Sequence, residues 1–156
     1  MFSIISAIAK NNAIGKDNDL VFHIKEDMKF FRETTRNHTV IMGKKTWESL
    51  PGKLKERKNL VISHTEVEGA DGTITDLDKY IEENKESDEE IFVIGGGSIY
   101  KYMLPHSKYL YLTEVDAEPE ADTFFPEFDR KSYKKETLKT GTAGDLKFEI
   151  NRYEHK

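Results

Sequence analysis

Three features of the sequence predict an α/β fold with a mostly parallel central sheet. The runs "VIM" (40–42), "LVI" (60–62) and "FVI" (92–94) are short and continuously apolar, as strands buried on both faces are. Segments of helical period alternate with them along the chain. Near the C-terminus, "LKFEI" (146–150) alternates apolar and polar residues, which predicts an antiparallel edge with one solvated face. Residues 1–156 therefore read as one α/β domain. Its mostly parallel central sheet carries an antiparallel C-terminal hairpin and helices on both faces.

The elements follow in order. The apolar start of "MFSIISAIAKNNAIG" predicts a strand over 2–9. This run is too short to span a membrane, and no basic segment precedes it, so a cytoplasmic location is the default expectation. Residues 10–20 are polar around Gly15 and read as a loop. Helices are predicted over 25–35, 44–50, 77–85 and 98–104, with strands over 38–42, 59–63, 73–75, 90–94 and 108–115. "SYKKETLKT" (132–140) and "LKFEI" flank "GTAG" (141–144), which predicts a closing hairpin.

Composition narrows the function classes. Net charge is -5, with both signs spread along the chain and no basic tract interleaved with aromatics, so nucleic-acid binding has no support. There is no Cys, which excludes disulfides, thiolate nucleophiles and cysteine-ligated metal. The five His residues are scattered without ligand spacing, and no metal site is expected.

The first helix carries an unusual acid. With Ile24 as reference, Met28, Phe31 and Thr35 fall within about 40° on a helical wheel. Lys25, Glu26, Lys29, Arg32, Glu33 and Arg36 point away. Asp27 lies about 60° from Ile24 and about 40° from Phe31, on the apolar side. An acid near a helix start can simply complement the free N–H groups and the dipole. A buried carboxylate needs a hydrogen-bonding partner, and a ligand is one candidate. The helix alone leaves both readings open.

Small residues follow the apolar strands. "VIMGKKTW" (40–47) and "FVIGGGSIY" (92–100) run from strand through glycine into a helix, and "LVISHT" (60–65) ends in small or polar side chains. Glycines let a backbone approach phosphate, helix starts offer free N–H donors, and ligands of such sheets bind beyond the strands' carboxyl ends. Lys44, Lys45 and His64 occupy these ends without an Asp or Glu, which favours NADP over NAD.

In this order and spacing, the pieces resemble dihydrofolate reductase over nearly the whole chain. The resemblance is carried by "IISAIAKNNAIG" (4–15), Asp27 with Phe31, "VIMGKKTWESL" (40–50), "LKERKNLVIS" (54–63), "IFVIGGGSIY" (91–100), "LYLTEVDAE" (110–118) and "ADTFFP" (121–126). It implies NADPH-dependent reduction of 7,8-dihydrofolate to tetrahydrofolate, by hydride transfer to the pteridine imine carbon. That reaction would support one-carbon and thymidylate metabolism in a cytoplasmic monomer that binds antifolates. Asp27 would bind the pteridine, aided by Thr113, with Leu20 and Phe22 beside the reacting centre. Ile5, Ala7, Met28, Phe31, Leu50, Leu54, Ile94 and Tyr100 would line the substrate pocket, and Arg57 would clamp the substrate's α-carboxylate. Ala7, Ile14, Gly15, Ile94, Gly95, Gly96, Gly97, Ser98, Ile99, Tyr100 and Thr123 would face the nicotinamide and pyrophosphate. Gly43, Lys44, Lys45, Thr46, Ser63, His64 and Thr65 would face the adenosine side. Trp47 would be packing. The resemblance also places a cis peptide at Gly95-Gly96.

One departure stands out. The family's usual Leu-Pro-Trp is Leu20-Val21-Phe22 here. An indole N–H can donate to an ordered water and a phenyl ring cannot. Two rivals share parts of the pattern: a pyrimidine reductase of riboflavin synthesis, and a module that sequesters nucleotides or antifolates with weak turnover. Asp27 together with Arg57 argues against the first, and Phe22 is the only feature that favours the second.

Overall fold

The computed structural model describes residues 1–17 and 19–156. Eleven strands and four α-helices follow one another among the described residues. They are β1 (Phe2–Ala9), β2 (Ala13–Lys16), β3 (Asp19–Leu20), α1 (Lys25–Thr35), β4 (Thr39–Gly43), α2 (Lys44–Ser49), β5 (Lys58–Ile62) and β6 (Gly72–Ile74). The chain continues with α3 (Leu77–Asn84), β7 (Ile91–Val93), α4 (Gly97–Met103), β8 (Ser107–Val115), β9 (Thr123–Phe124), β10 (Tyr133–Ala143) and β11 (Leu146–His155).

Eight strands form one sheet in the order β10-β11-β8-β1-β7-β4-β5-β6. Every pairing from β8 to β6 is parallel, and β11 pairs antiparallel with both β8 and β10. Alternation along the strands sends their side chains to two layers. Phe2, Ile4 and Ile8 of β1 join Ile41, Val93, Leu110 and Leu112 in a core with Tyr80 of α3 and Tyr100 and Met103 of α4. Ile5 joins Val40, Met42, Val61 and Phe92 beneath Phe30 and Phe31 of α1 and Trp47 of α2. Helices thus cover both faces, as the apolar strand runs predict. No helix of the described residues is long and apolar enough to cross a membrane.

Two expectations need correction. The predicted loop over 10–20 contains β2 and β3, which form a separate sheet with β9; Asn18, within that loop, lies outside the described residues. Strands of two to four residues have no room for an apolar alternation, so sequence gave no signal for them. The predicted "GTAG" connection is mostly strand. β10 continues to Ala143, and the turn is Gly144-Asp145. Gly144 adopts φ +60 with open space around it, so its backbone freedom, and not packing, fits it to the turn.

Candidate active site

α1 packs on the Ile5 face of the sheet, with Asp27 meeting β8 near the carboxyl ends of β1 and β8. Ile24 is not in the helix but is its extended N-cap, with no side-chain cap bond. The wheel nonetheless holds for the interior face: Ile24 and Thr35 are buried. Met28 departs from it, being 50% exposed. Glu26, on the outward face, is half-exposed.

Asp27 meets the sheet at Thr113. That residue sits in β8 opposite Ala7 of β1 and Ile150 of β11, only 2% exposed. Its hydroxyl donates to Asp27 Oδ1 at 2.5 Å. Asp27 is half-buried. This desolvation raises its pKa above the ordinary carboxylate range, and the Thr113 bond offsets part of the rise. The dipole explanation of the acid is therefore incomplete: a strand hydroxyl from elsewhere in the fold is aimed at it.

Around Asp27 the walls are apolar. Ile5, Phe31, Leu50, Leu54 and Ile94 belong to one contiguous cluster, with Trp47 packed into it. Ala7 is half-buried on the same strand. Leu20 is 59% exposed. Phe22 packs against Ile24, Val115, Phe148 and Ile150, so its ring is a wall of the β8–β11 side and brings no donor.

Arg57 is anchored beside Phe31. Its Nη1 donates to Thr35 Oγ1 at 3.2 Å and its Nε to the Lys55 carbonyl at 2.9 Å. The guanidinium carbon lies 5.9 Å from the Phe31 ring centroid. Burial lowers its pKa, with Glu56 opposing and Arg32 and Arg36 adding to the effect, yet an arginine stays cationic. Asn59, fully buried, holds the loop in place: its amide donates to the Leu54 and Arg57 carbonyls at 2.9 Å, and its oxygen accepts from the Leu54 N–H at 3.0 Å. Sequence reasoning missed both anchors, Thr35 and Asn59. The available signals were a polar residue on the buried face of α1 and an Asn opening an apolar strand.

A second region adjoins the first where β7, β4 and β5 end side by side. The Gly43 N–H donates to the Gly95 carbonyl at 2.9 Å, and Ser63, His64 and Thr65 follow β5 next to Gly43. The helices α2 and α4 start here from Gly43 and Gly96, neither with a side-chain cap bond, so their first N–H groups are free of side-chain partners. Gly95 has φ +129, and the Gly95-Gly96 bond is cis, as expected. A Cβ on Gly97 would lie 3.0 Å from the Phe124 carbonyl and 3.1 Å from Thr123 Cγ2, so β9 approaches this glycine closely, with Ile14 beside it. Gly15 pairs with Thr123 across β2 and β9. Lys44, Lys45, Ser98, His64 and Thr65 are exposed, while Thr46, Ser63 and Ile99 are half-buried. No carboxylate pairs with Lys44 or Lys45 among the described residues. Tyr100 differs from the rest. It is a core residue, 4% exposed, and reaches this region through its hydroxyl, which donates to the Ile5 carbonyl at 2.9 Å.

Asp27 bonded to Thr113, the Arg57 guanidinium near Phe31 and the uncapped glycine-rich helix starts are all among the residues the sequence resemblance names. The profile described as dihydrofolate reductase matches residues 1–155. The chain belongs to the dihydrofolate reductase family. It is 38% identical to the dihydrofolate reductase of Bacillus subtilis over 100% of this chain and 95% of that protein. With the Neisseria gonorrhoeae dihydrofolate reductase it shares 41% identity over 85% of this chain and 83% of the relative. Among solved structures it is similar to the Enterococcus faecalis dihydrofolate reductase in complex with NADP(H) and RAB-propyl, with TM-score 0.89 and 25% identity, over 100% of this chain and 96% of the other.

Proposed function

We infer that Asp27 binds and activates the substrate as this chain carries out the reaction of its family, the NADPH-dependent reduction of 7,8-dihydrofolate to tetrahydrofolate. The observation that carries this reading is the desolvated Asp27 carboxylate held by Thr113 at 2.5 Å. The pteridine edge offers a ring N–H beside an exocyclic amine, and a carboxylate accepts both in a charge-assisted pair. Thr113 fixes the orientation of that carboxylate. Its negative charge in an apolar cleft favours protonation of the imine nitrogen, and the proton arrives through water. Ile5, Ala7, Met28, Phe31, Leu50, Leu54 and Ile94 exclude bulk water, with Leu20 and Phe22 beside the reacting centre. Arg57, fixed by Thr35 and Asn59, takes the α-carboxylate as a fork.

The glycine-rich region fits a dinucleotide because backbone can approach closely at Gly95 to Gly97 and the helix-start amides lack side-chain caps. When bound, NADPH supplies the hydride that the imine carbon receives. Ala7, Ile14, Gly15, Ile94, Gly95 to Ile99, Tyr100 and Thr123 would hold its nicotinamide and pyrophosphate. Gly43, Thr46, Ser63 and Thr65 would hold the adenosine side, with Lys44, Lys45 and His64 on its extra phosphate. The chain works as one domain, a cytoplasmic monomer whose cleft also takes antifolates, and its product serves one-carbon and thymidylate metabolism. Loss of NADPH absorbance on mixing the purified chain with NADPH and dihydrofolate tests the reading. Dihydrofolate-dependent oxidation is expected. Tight binding of both compounds without oxidation would favour a sequestering module.

A further inference from the structure

The segment that carries Arg57 is tied at both ends by one carboxylate. Asp71 directly precedes β6, which pairs with β5 so that Leu60 faces Gly72. Its backbone N–H donates to the Asn59 carbonyl at 2.9 Å, and its Oδ2 accepts from the Asn59 N–H at 2.7 Å. Its other oxygen, Oδ1, accepts from Lys53 Nζ. Lys53 stands before the segment 54–58 and Asn59 directly after it, so Asp71 joins the two flanks. Inside, the buried Asn59 amide holds the Leu54 and Arg57 carbonyls. Glu56 takes the left-handed backbone, φ +62, which a non-glycine residue adopts only where its surroundings demand it. The direction of the guanidinium depends on this segment, because Arg57 Nε donates to the Lys55 carbonyl within it.

We propose that Asp71 is a positioning residue for substrate recognition, its carboxylate joining Lys53 to the Asn59 N–H so that the segment between them presents the Arg57 fork to the substrate's α-carboxylate. The proposal rests on the dihydrofolate reductase reading of the cleft. Asp71 stands at the amino end of β6, away from the carboxyl ends of β4 and β5 where Gly43 and Ser63 lie. It therefore acts on affinity for the substrate's carboxylate tail, and neither on the cofactor nor on the rate of transfer. The Lys53 and Asp71 side chains are 45% and 27% exposed, so solvent screens the pair and keeps the effect modest.

The test compares full-length wild type, Asp71→Ala, Asp71→Asn, Arg57→Ala and the Asp71→Ala/Arg57→Ala double variant. Steady-state kinetics are measured with dihydrofolate and with a dihydropterin that lacks the benzoylglutamate tail, and NADPH affinity is measured separately. Asp71→Ala should raise KM for dihydrofolate about 3- to 10-fold, the range of one partly exposed hydrogen bond to a charged group. Its kcat and NADPH affinity should stay within about 2-fold of wild type. Asp71→Asn keeps an acceptor for the Asn59 N–H and gives up the charge toward Lys53, so its loss should be smaller. The truncated substrate has no carboxylate for Arg57, and its KM should not change. In the Arg57→Ala background Asp71→Ala should have no further effect, because the group it positions is gone. Lys53→Met leaves Asp71 bonded to Asn59 and carries the same comparison if Asp71→Ala does not fold. Equal losses with both substrates, the full loss in the Arg57→Ala background, or an unchanged KM for dihydrofolate overturns the proposal while leaving the reading of the cleft intact. A wild type that shows no NADPH-dependent turnover overturns that reading and the proposal with it.

Discussion

Replacing Asp27 by Asn tests the cleft most directly. Asn keeps the size of the side chain and an oxygen that can still accept from Thr113 Oγ1, now 2.5 Å from Asp27 Oδ1. It exchanges the other carboxylate oxygen for an amide that points donors at the substrate's donors. One charge-assisted bond, worth about 1.5–3 kcal/mol, is lost, and an unpaired donor costs about 1–3 kcal/mol more. A combined loss of about 2.5–6 kcal/mol slows hydride transfer at least about 50-fold, and up to about 10,000-fold, near neutral pH. In acid, where the substrate is already protonated, the deficit should narrow. Stopped-flow single turnovers across that range measure both effects. Glu26→Gln, one residue away but on the outward face, should stay within about 2-fold of wild type. Similar losses in both variants, or a deficit for Asp27→Asn that does not change with pH, would refute the reasoning.

The same variant has a stability consequence of known sign. Burial raises the folded-state pKa of Asp27 above its ordinary value of 3.8, so the folded protein holds this proton more tightly than the unfolded chain. Its contribution to stability is therefore most favourable below the unfolded pKa. That contribution declines as pH rises through the folded pKa and stays reduced above it. Asp27→Asn removes the partly buried charge and should raise Tm at neutral pH, with the gain fading in acid. Thermal unfolding of both proteins at several pH values checks this.

Three further outcomes are expected. Removing Lys44 and Lys45 together should weaken NADPH about 10-fold more than NADH, with the gap shrinking at high salt, as titrations of both cofactors would register. Arg57→Lys replaces a fork with a point charge and should raise KM about 10-fold with kcat little changed, measured in steady-state kinetics. Phe22→Trp should change the rate by about 10-fold at most, because the indole adds one neutral donor to a ring position that already packs; a wild type with no turnover, rescued by this change, would contradict it.

Local chemistry made the main sheet legible. The apolar runs in β4, β5 and β7 have to be buried on both faces, and the helical wheel put Asp27 and Thr35 inward because 100° per residue allows little else. Glycines and lysines after those strands pointed to the same sheet edge, since strand ends in a parallel sheet lie together. The packing could not be read locally. Thr113 is 86 residues from Asp27 in sequence, and no local propensity records that β8 lies next to β1 with Ala7 opposite Thr113. Asn59 looks like any strand-opening polar residue until burial makes its three bonds to Leu54 and Arg57 visible as an anchor. The small β2-β3-β9 sheet carries no pattern of its own because its strands are too short to repeat, and long-range pairing alone defines it. Sequence by itself determined which residues must be buried and which chemistry was present. The tertiary structure decided which of them meet, because contacts between distant segments depend on strand order and register, and those are set by the packing of the whole chain.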